Sequence, residues 1–185
     1  VQRLSYDVYF ELLKTPQPAT TDAIAHYLLE DGLILYQDNG LYGITNLGAI
    51  LFAKRLGDFN RLSRKEIRII QYNGNNRLEM KREEVVKRGY VVGLEWLHSY
   101  LEALLPQEEP IEGMIRVKKN MYPSIALREA IANALIHQDF SATGAGPTIE
   151  VFEGRIEITN PGTPLVDILR IIDNPPRSRN EQLAS

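Results

Sequence analysis

The sequence predicts an α+β fold, with a small helix-and-hairpin subdomain over residues 1–60 and a helix-on-mixed-sheet sandwich over residues 61–185. Three observations carry that expectation. Leu94, Leu97, Leu101 and Leu104 recur at helical spacing. Asp38-Asn39-Gly40 stands between two runs rich in strand-forming residues, which is a hairpin signal. "TIEVFEGRIEITN" reads as two alternating strands joined by a tight turn at Glu153-Gly154.

From the N-terminus, "LSYDVYFELL" reads as a short amphipathic helix over residues 4–13, stopped by the breaker "TPQP". Thr20 or Thr21 then caps a helix over residues 22–30. The hairpin "GLILYQDNGLYGIT" follows, and after it a helix in "NLGAILFAKRL". Helix, hairpin and helix in this order resemble the last part of a winged-helix domain, with the hairpin as the wing; a small α+β cap that packs on its neighbour fits the same pattern. Beyond the basic turn "LSRKE", "IRIIQYNG" reads as a buried strand ending at Asn73-Gly74, and "RLEMKREEV" as an edge strand. "VGLEWLHSYLEALLP" forms a helix that stops at Pro106, with Trp96 and His98 as packing or surface residues. "EGMIRVKKN" supplies another strand, "REAIANALIHQDF" a helix and "SATGAGP" a loop. The tail "LVDILRIIDNPPRSRNEQLAS" starts helical, breaks at Pro-Pro and ends polar.

Composition narrows the class. With 44% hydrophobic and 8% aromatic residues, the 185-residue chain has the apolar content to bury a core. It contains no cysteine, which excludes disulfides and thiolate metal sites and points to a cytoplasmic setting. No apolar run approaches a membrane span and no signal-peptide pattern opens the chain, so no membrane partner is expected. The first residue is Val rather than Met, as expected of a piece of a longer protein. The net charge of −3 is unevenly spread: residues 54–90 hold 11 Lys/Arg against 5 Asp/Glu, and the remainder 10 against 19. A basic middle in an acidic chain suits an anionic partner or a solvated strand and loop with long cationic side chains.

The helix at residues 128–140 raises the functional question. Leu127, Ile131, Ala134 and Leu135 fall on one side of a helical wheel; Glu129, Asn133 and His137 form a second stripe rotated from it. The stripe reads either as the wet side of a half-buried helix or as a line of ligand-binding groups.

The order of motifs bears on that choice. A Glu-x-x-x-Asn helix, a loop, and a strand running into an Asp/Asn-x-Gly turn resemble the GHKL ATPases, the superfamily of gyrase, the mismatch-repair ATPases and the sensor histidine kinases. More narrowly, "YPSIALREAIANALIHQDFS", "RIEITNPG" and "PPRSRNEQLA" look like the divergent GHKL-type domain of bacterial and archaeal predicted transcriptional regulators, often labelled helicase-related ATP-binding proteins. In these the domain usually follows an AlbA/Schlafen-type DNA-binding domain, and "GLYGITNLGAILFAKRL" and "RKEIRIIQYNGNNR" look like the segment joining the two.

The resemblance implies ATP and Mg²⁺ as ligands, with Asn133 as the metal ligand and Glu129 as the water-activating base. Asn160 stands where the adenine-reading Asp stands, and Gly162 where the first glycine of that box stands. His137 and Asp139 belong to the "HQD" signature, on the phosphate side. The chain departs from the pattern in three places. Asn160 accepts from adenine without a charge, Pro164 replaces the second glycine, and the glycine-rich segment that closes over the phosphates lies beyond Ser185. Residues 1–185 are therefore not expected to be a competent ATPase by themselves, and any ATPase activity of the full-length protein is expected to be weak. The implied function is a nucleotide-binding module of a DNA-associated transcriptional regulator. Two alternatives are a degenerate scaffold or homodimerisation module, and a DNA-binding segment acting through the hairpin and Lys81, Arg82, Lys87 and Arg88.

Overall fold

The computed structural model describes residues 1–105, 107–108, 111–112, 115–116, 119–165 and 178–184. The chain divides into two units, Val1–Glu66 with Lys87–Glu95, and Ile67–Val86 with Trp96–Ser185.

The first unit is made by local signals. Helix α1 (Tyr6–Leu12) is followed by α2 (Thr21–Glu30), whose cap is Thr20: its side chain accepts from the Ala23 N–H at 3.3 Å. Strands β1 (Ile34–Tyr36) and β2 (Tyr42–Ile44) pair antiparallel, as the Asp38-Asn39-Gly40 signal predicts. In the connecting loop Asn39 Oδ1 accepts from the Leu41 N–H at 3.0 Å, and Gly40 takes φ +78°, a left-handed conformation that glycine adopts without steric cost. Thr45 caps α3 (Asn46–Phe52) by accepting from the Gly48 N–H at 3.0 Å; its own hydroxyl faces the carbonyls of Gly32 and Leu33 at 2.9 and 3.0 Å. A short 3-10 turn, Leu56–Asp58, follows. Leu4, Tyr9, Phe10, Ile24, Leu28, Ile34 and Phe52 fill the core, with Tyr9 edge-on to Phe10 and Phe52 at 5.0 and 5.7 Å.

The second unit holds a four-stranded mixed sheet. Strand β3 (Ile67–Tyr72) pairs antiparallel with β4 (Met80–Val86) and parallel with β9 (Thr148–Val151), which pairs antiparallel with β10 (Ile156–Thr159). The spatial order is β10-β9-β3-β4, so β4 is an edge strand as read from the sequence. By alternation and register, Ile67, Ile69, Ile149 and Val151 share one face. Arg82 lies on that face and hydrogen-bonds Tyr100 of α4 (Tyr90–Leu104), which places the part of that helix belonging to this unit, from Trp96 on, over it. Leu97 and Leu101 of α4 are fully buried. Two short antiparallel ladders pair β5 (Gln107–Glu108) with β8 (Lys119–Asn120) and β6 (Ile111–Glu112) with β7 (Ile115–Arg116). Helix α5 (Ser124–Ile136) packs against β10, and α6 (Glu181–Ala184) closes the described chain. Pro106 and the helix and Pro-Pro break expected at residues 165–176 fall, apart from Leu165, outside the described residues.

One detail differs from the sequence reading. The helix expected through "HQDF" ends at Ile136, and His137 is its C-cap at φ −90°, ψ 5°. The reason is local competition: the Gln138 amide donates to the Leu135 carbonyl at 2.9 Å, while the Asp139 N–H turns to the Pro161 carbonyl at 2.7 Å. The tail, read as ending polar, forms the short helix α6 over its last described residues.

Candidate functional site

Helix α5 buries Leu127, Ile131, Ala134 and Leu135, so the residues at the intervening helical positions are presented outward. Glu129, Asn133 and His137 are all exposed, and their side chains have no hydrogen-bond partner among the described residues. Four residues of helix rise about 6 Å, so the Glu129 carboxylate and the Asn133 amide stand one turn apart on the same side.

Beyond the helix the chain folds back onto the turn that ends β10. Asp139 joins the two. Its N–H bonds Pro161, and its carboxylate accepts from the Ser141 N–H at 2.8 Å, the Ser141 hydroxyl at 2.6 Å and Arg179 Nη1 at 3.0 Å. The hydrogen bonds from Ser141, then the Arg179 guanidinium, hold the Asp139 carboxyl below its ordinary pKa. Gly162 sits directly against Asp139 at φ +127°; a Cβ there would lie 3.0 Å from Asp139 Cβ and 3.3 Å from its backbone nitrogen. Only glycine suits both the conformation and the space. Asn160 is half-buried at the end of β10.

The fold thus brings Asp139 and Gly162 into contact and lines Glu129, Asn133 and His137 along α5. Arg179 and Asn180 belong to the same cluster and were not singled out as site residues. Arg179 Nη2 donates to the Thr163 carbonyl at 2.6 Å, and Asn180 Nδ2 donates to the carbonyls of Ile136 and Gln138 at 2.6 and 2.8 Å. Their signal was the motif "PPRSRNEQLA", in which the two residues stand side by side.

Among the described residues no three His, Asp or Glu side chains gather as a metal cage. One amide oxygen and one nearby carboxylate, both exposed, are a donor set that fits Mg²⁺, which takes few protein ligands and draws the rest from phosphates and water.

The basic middle divides. Lys81 and Arg82 lie on β4 in the second unit, Lys87 and Arg88 in the first, and all four are exposed. Other cations of that stretch serve the sheet. Arg68 bonds Glu83 at 2.8 Å across β3 and β4. Arg77 is more deeply engaged. Glu150 and Glu157 are directly opposed in the β9–β10 register, a like-charge pair that destabilises a sheet. The Arg77 guanidinium bridges them, at 2.7 Å to both Glu150 oxygens and 2.6 Å to Glu157; Arg155 adds a 2.6 Å bond to Glu157. Arg155 also lies 4.0 Å from the centre of the Phe152 ring, against which Tyr72 stacks at 5.0 Å.

This arrangement sets a pH dependence. The Arg77 hydrogen bonds hold the Glu150 carboxyl below its ordinary pKa, so its contribution to stability is present above the unfolded value and lost as pH falls through the lower folded one. In Arg77→Ala the burial of Glu150 still raises its pKa, while the Tyr72 hydroxyl and the Arg155 guanidinium still lower it, so the depression shrinks with the loss of its largest cause. Urea midpoints measured between about pH 3 and pH 7 should fall with acid in the wild type and fall less in the variant. Parallel profiles would show that Arg77 does not control Glu150.

A cleft of about 270 Å³ lies at the other end of β9 and β10, lined by Gln71, Tyr72, Lys81, Leu104, Val151 and Phe152 among others; of the residues proposed from sequence it includes Lys81 alone.

Comparison with known proteins adds three findings. Residues 144–185 match a family described as "Putative ATP-dependent DNA helicase recG C-terminal". The structure is similar to the crystal structure of the DIP2311 protein from Corynebacterium diphtheriae, with a TM-score of 0.66 and 18% identity over 87% of this chain and 31% of that one. The chain therefore spans about a third of that protein, and the likeness concerns fold alone. No curated protein matches the sequence. The family match covers the turn at Asn160–Gly162 and the Arg179-Asn180 pair, and it supports a divergent ATPase-like domain in the second unit.

Proposed function

We propose that the second unit binds a Mg²⁺-nucleotide, ATP in the first instance, as the nucleotide-binding module of a DNA-associated regulator. The observation that carries this reading is the closure of the glycine turn on Asp139. It joins the end of α5, with its unpartnered Glu129 and Asn133, to the strand end that carries Asn160. The family match over residues 144–185 supports the same reading.

Each residue then has a chemical task. Asn133 offers its amide oxygen to Mg²⁺, and bound Mg²⁺ neutralises phosphate charge. Glu129, one turn earlier, accepts a proton from the attacking water. Asn160 accepts from the adenine amino group through its amide oxygen, and its NH₂ donates to a ring nitrogen. Gly162 lets the turn that follows Asn160 close against Asp139, where a side chain would intrude. His137, at the end of α5, and Asp139, which follows it, stand on the phosphate side. The exposed Lys81, Arg82, Lys87 and Arg88 are the groups through which DNA phosphates are met.

A second reading, a scaffold or homodimerisation module without nucleotide, draws on Asn160 and Pro164, which stand where the pattern has Asp and glycine. Glu129→Gln in the full-length protein separates the two. The nucleotide module predicts unchanged affinity for labelled ATP and hydrolysis slowed about 100-fold or more, since a positioned base supplies that much. Hydrolysis at the wild-type rate in Glu129→Gln would remove Glu129 from the chemistry.

A further inference from the structure

We infer that Arg179 and Asn180 form a strap that positions the nucleotide site, tying the end of α5 to the turn after β10. The inference rests on the nucleotide-binding reading above and adds to it two residues that touch no reacting group.

Asn180 serves the helix. The last carbonyls of any α-helix lack an intrahelical partner. Asn180 Nδ2 donates to two carbonyls at this end, Ile136 at 2.6 Å and Gln138 at 2.8 Å, from 44 and 42 residues away in sequence. Arg179 serves the turn. One arm of its fork reaches the Asp139 carboxylate and the other the Thr163 carbonyl, so it spans the segment after α5 and the segment after Gly162. The Asp139 N–H also bonds the Pro161 carbonyl directly, joining the same two segments. The two adjacent residues therefore close a ring of hydrogen bonds around the junction where Asp139 meets Gly162.

The chemistry suits positioning. Arg179 and Asp139 cancel in charge, so the strap adds no net charge beside an anionic ligand. Both are half-buried, with side chains 23% and 25% exposed, which shields the pair from the screening that weakens surface ion pairs. A planar fork with two arms reaches a carboxylate and a carbonyl at once; a lysine ammonium holds the charge without that geometry. A polar ring of this kind fixes the angle at which α5 presents Asn133 relative to the strand end that presents Asn160.

The test uses the full-length protein and two readouts. In Arg179→Gln, affinity for Mg²⁺-ATP should fall about 10- to 100-fold, the usual cost of losing a group that orients a ligand. Arg179→Lys should recover part of that loss, and the melting temperature should move little in either. Amide hydrogen exchange at Asp139, measured without nucleotide, should quicken in Arg179→Gln and in Asn180→Ala. Equal ATP affinity in wild type and Arg179→Gln would overturn the positioning role, and a purely structural strap would show that result with a lowered melting temperature. Failure of the wild type to take up ATP would instead overturn the nucleotide reading and the positioning role with it. Asp139 exchange then judges the strap by itself, and unchanged exchange would refute it.

Discussion

In the full-length protein, Asn133→Ala abolishes Mg²⁺-dependent nucleotide binding and leaves the fold intact. The two halves of this expectation have separate grounds. Asn133 lies on the exposed side of α5, away from Leu127, Ile131, Ala134 and Leu135, and no described residue bonds its side chain. Replacing it removes no core contact, and alanine favours a helix over asparagine by about half a kcal/mol, so stability should hold or rise slightly. The loss falls on the ligand. Mg²⁺ dehydrates reluctantly and relies on a small number of well-placed oxygens, so removing the one amide oxygen assigned to it leaves on that side of α5 only the Glu129 carboxylate, a full turn away. Circular dichroism and ATP titration on the same sample check both halves. Equal ATP affinity in the two proteins would make the stripe the wet side of a helix and nothing more.

Gly48→Ala unfolds the first unit or comes close to doing so. In an ordinary helix this change is favourable by about 1 kcal/mol, because glycine is the poorer helix former. Here α3 passes so near β1 that a Cβ on Gly48 would strike the Leu33 carbonyl oxygen and lie 2.8 and 3.0 Å from its carbonyl carbon and Cα. All three obstacles are backbone atoms, so no side-chain rotation relieves them. Moving α3 away breaks the bond from the Thr45 N–H to the Leu33 carbonyl at 3.1 Å and the Thr45 hydroxyl contact with it. Overpacking without a means of relief costs about 3 kcal/mol, which outweighs the propensity gain. Gly32→Ala is the comparison: its φ of +66° is strained for alanine, but nothing lies within 4 Å, so about 1 kcal/mol is expected. Urea unfolding followed by amide exchange in α2 and α3 ranks the two. A cost for Gly48→Ala no greater than for Gly32→Ala would mean that α3 yields more readily than its packing implies.

What was legible in the sequence was local. Asp38-Asn39-Gly40 announces its hairpin because the turn's demands are met within a few residues. Thr20 and Glu153-Gly154 are legible for the same reason, and so is the buried stripe of α5. The α+β class follows from these pieces, and the mixed sheet agrees with it. What was not legible was paired across distance. The parallel match of β3 to β9 joins strands nearly 80 residues apart, and periodicity carries no record of it. The cations of residues 54–90 read as one basic region; Arg77 is there because Glu150 and Glu157 face each other on strands that the sequence does not show side by side. Gly48 carries no signal within its own helix, because the carbonyl that excludes a side chain comes from Leu33.

The candidate site divides along the same line. Glu129, Asn133 and His137 were found from spacing within one helix, and Asp139, Asn160 and Gly162 from motif resemblance. Arg179 and Asn180 were passed over because their partners lie between 16 and 44 residues upstream.

The central claim is that the second unit takes up nucleotide together with Mg²⁺. Calorimetric titration of the full-length protein with ATP, with Mg²⁺ present and then with the metal chelated, tests it most directly. Saturable heat is expected in the presence of Mg²⁺, and its loss on chelation. Absence of heat in both, or binding that ignores the metal, would contradict it.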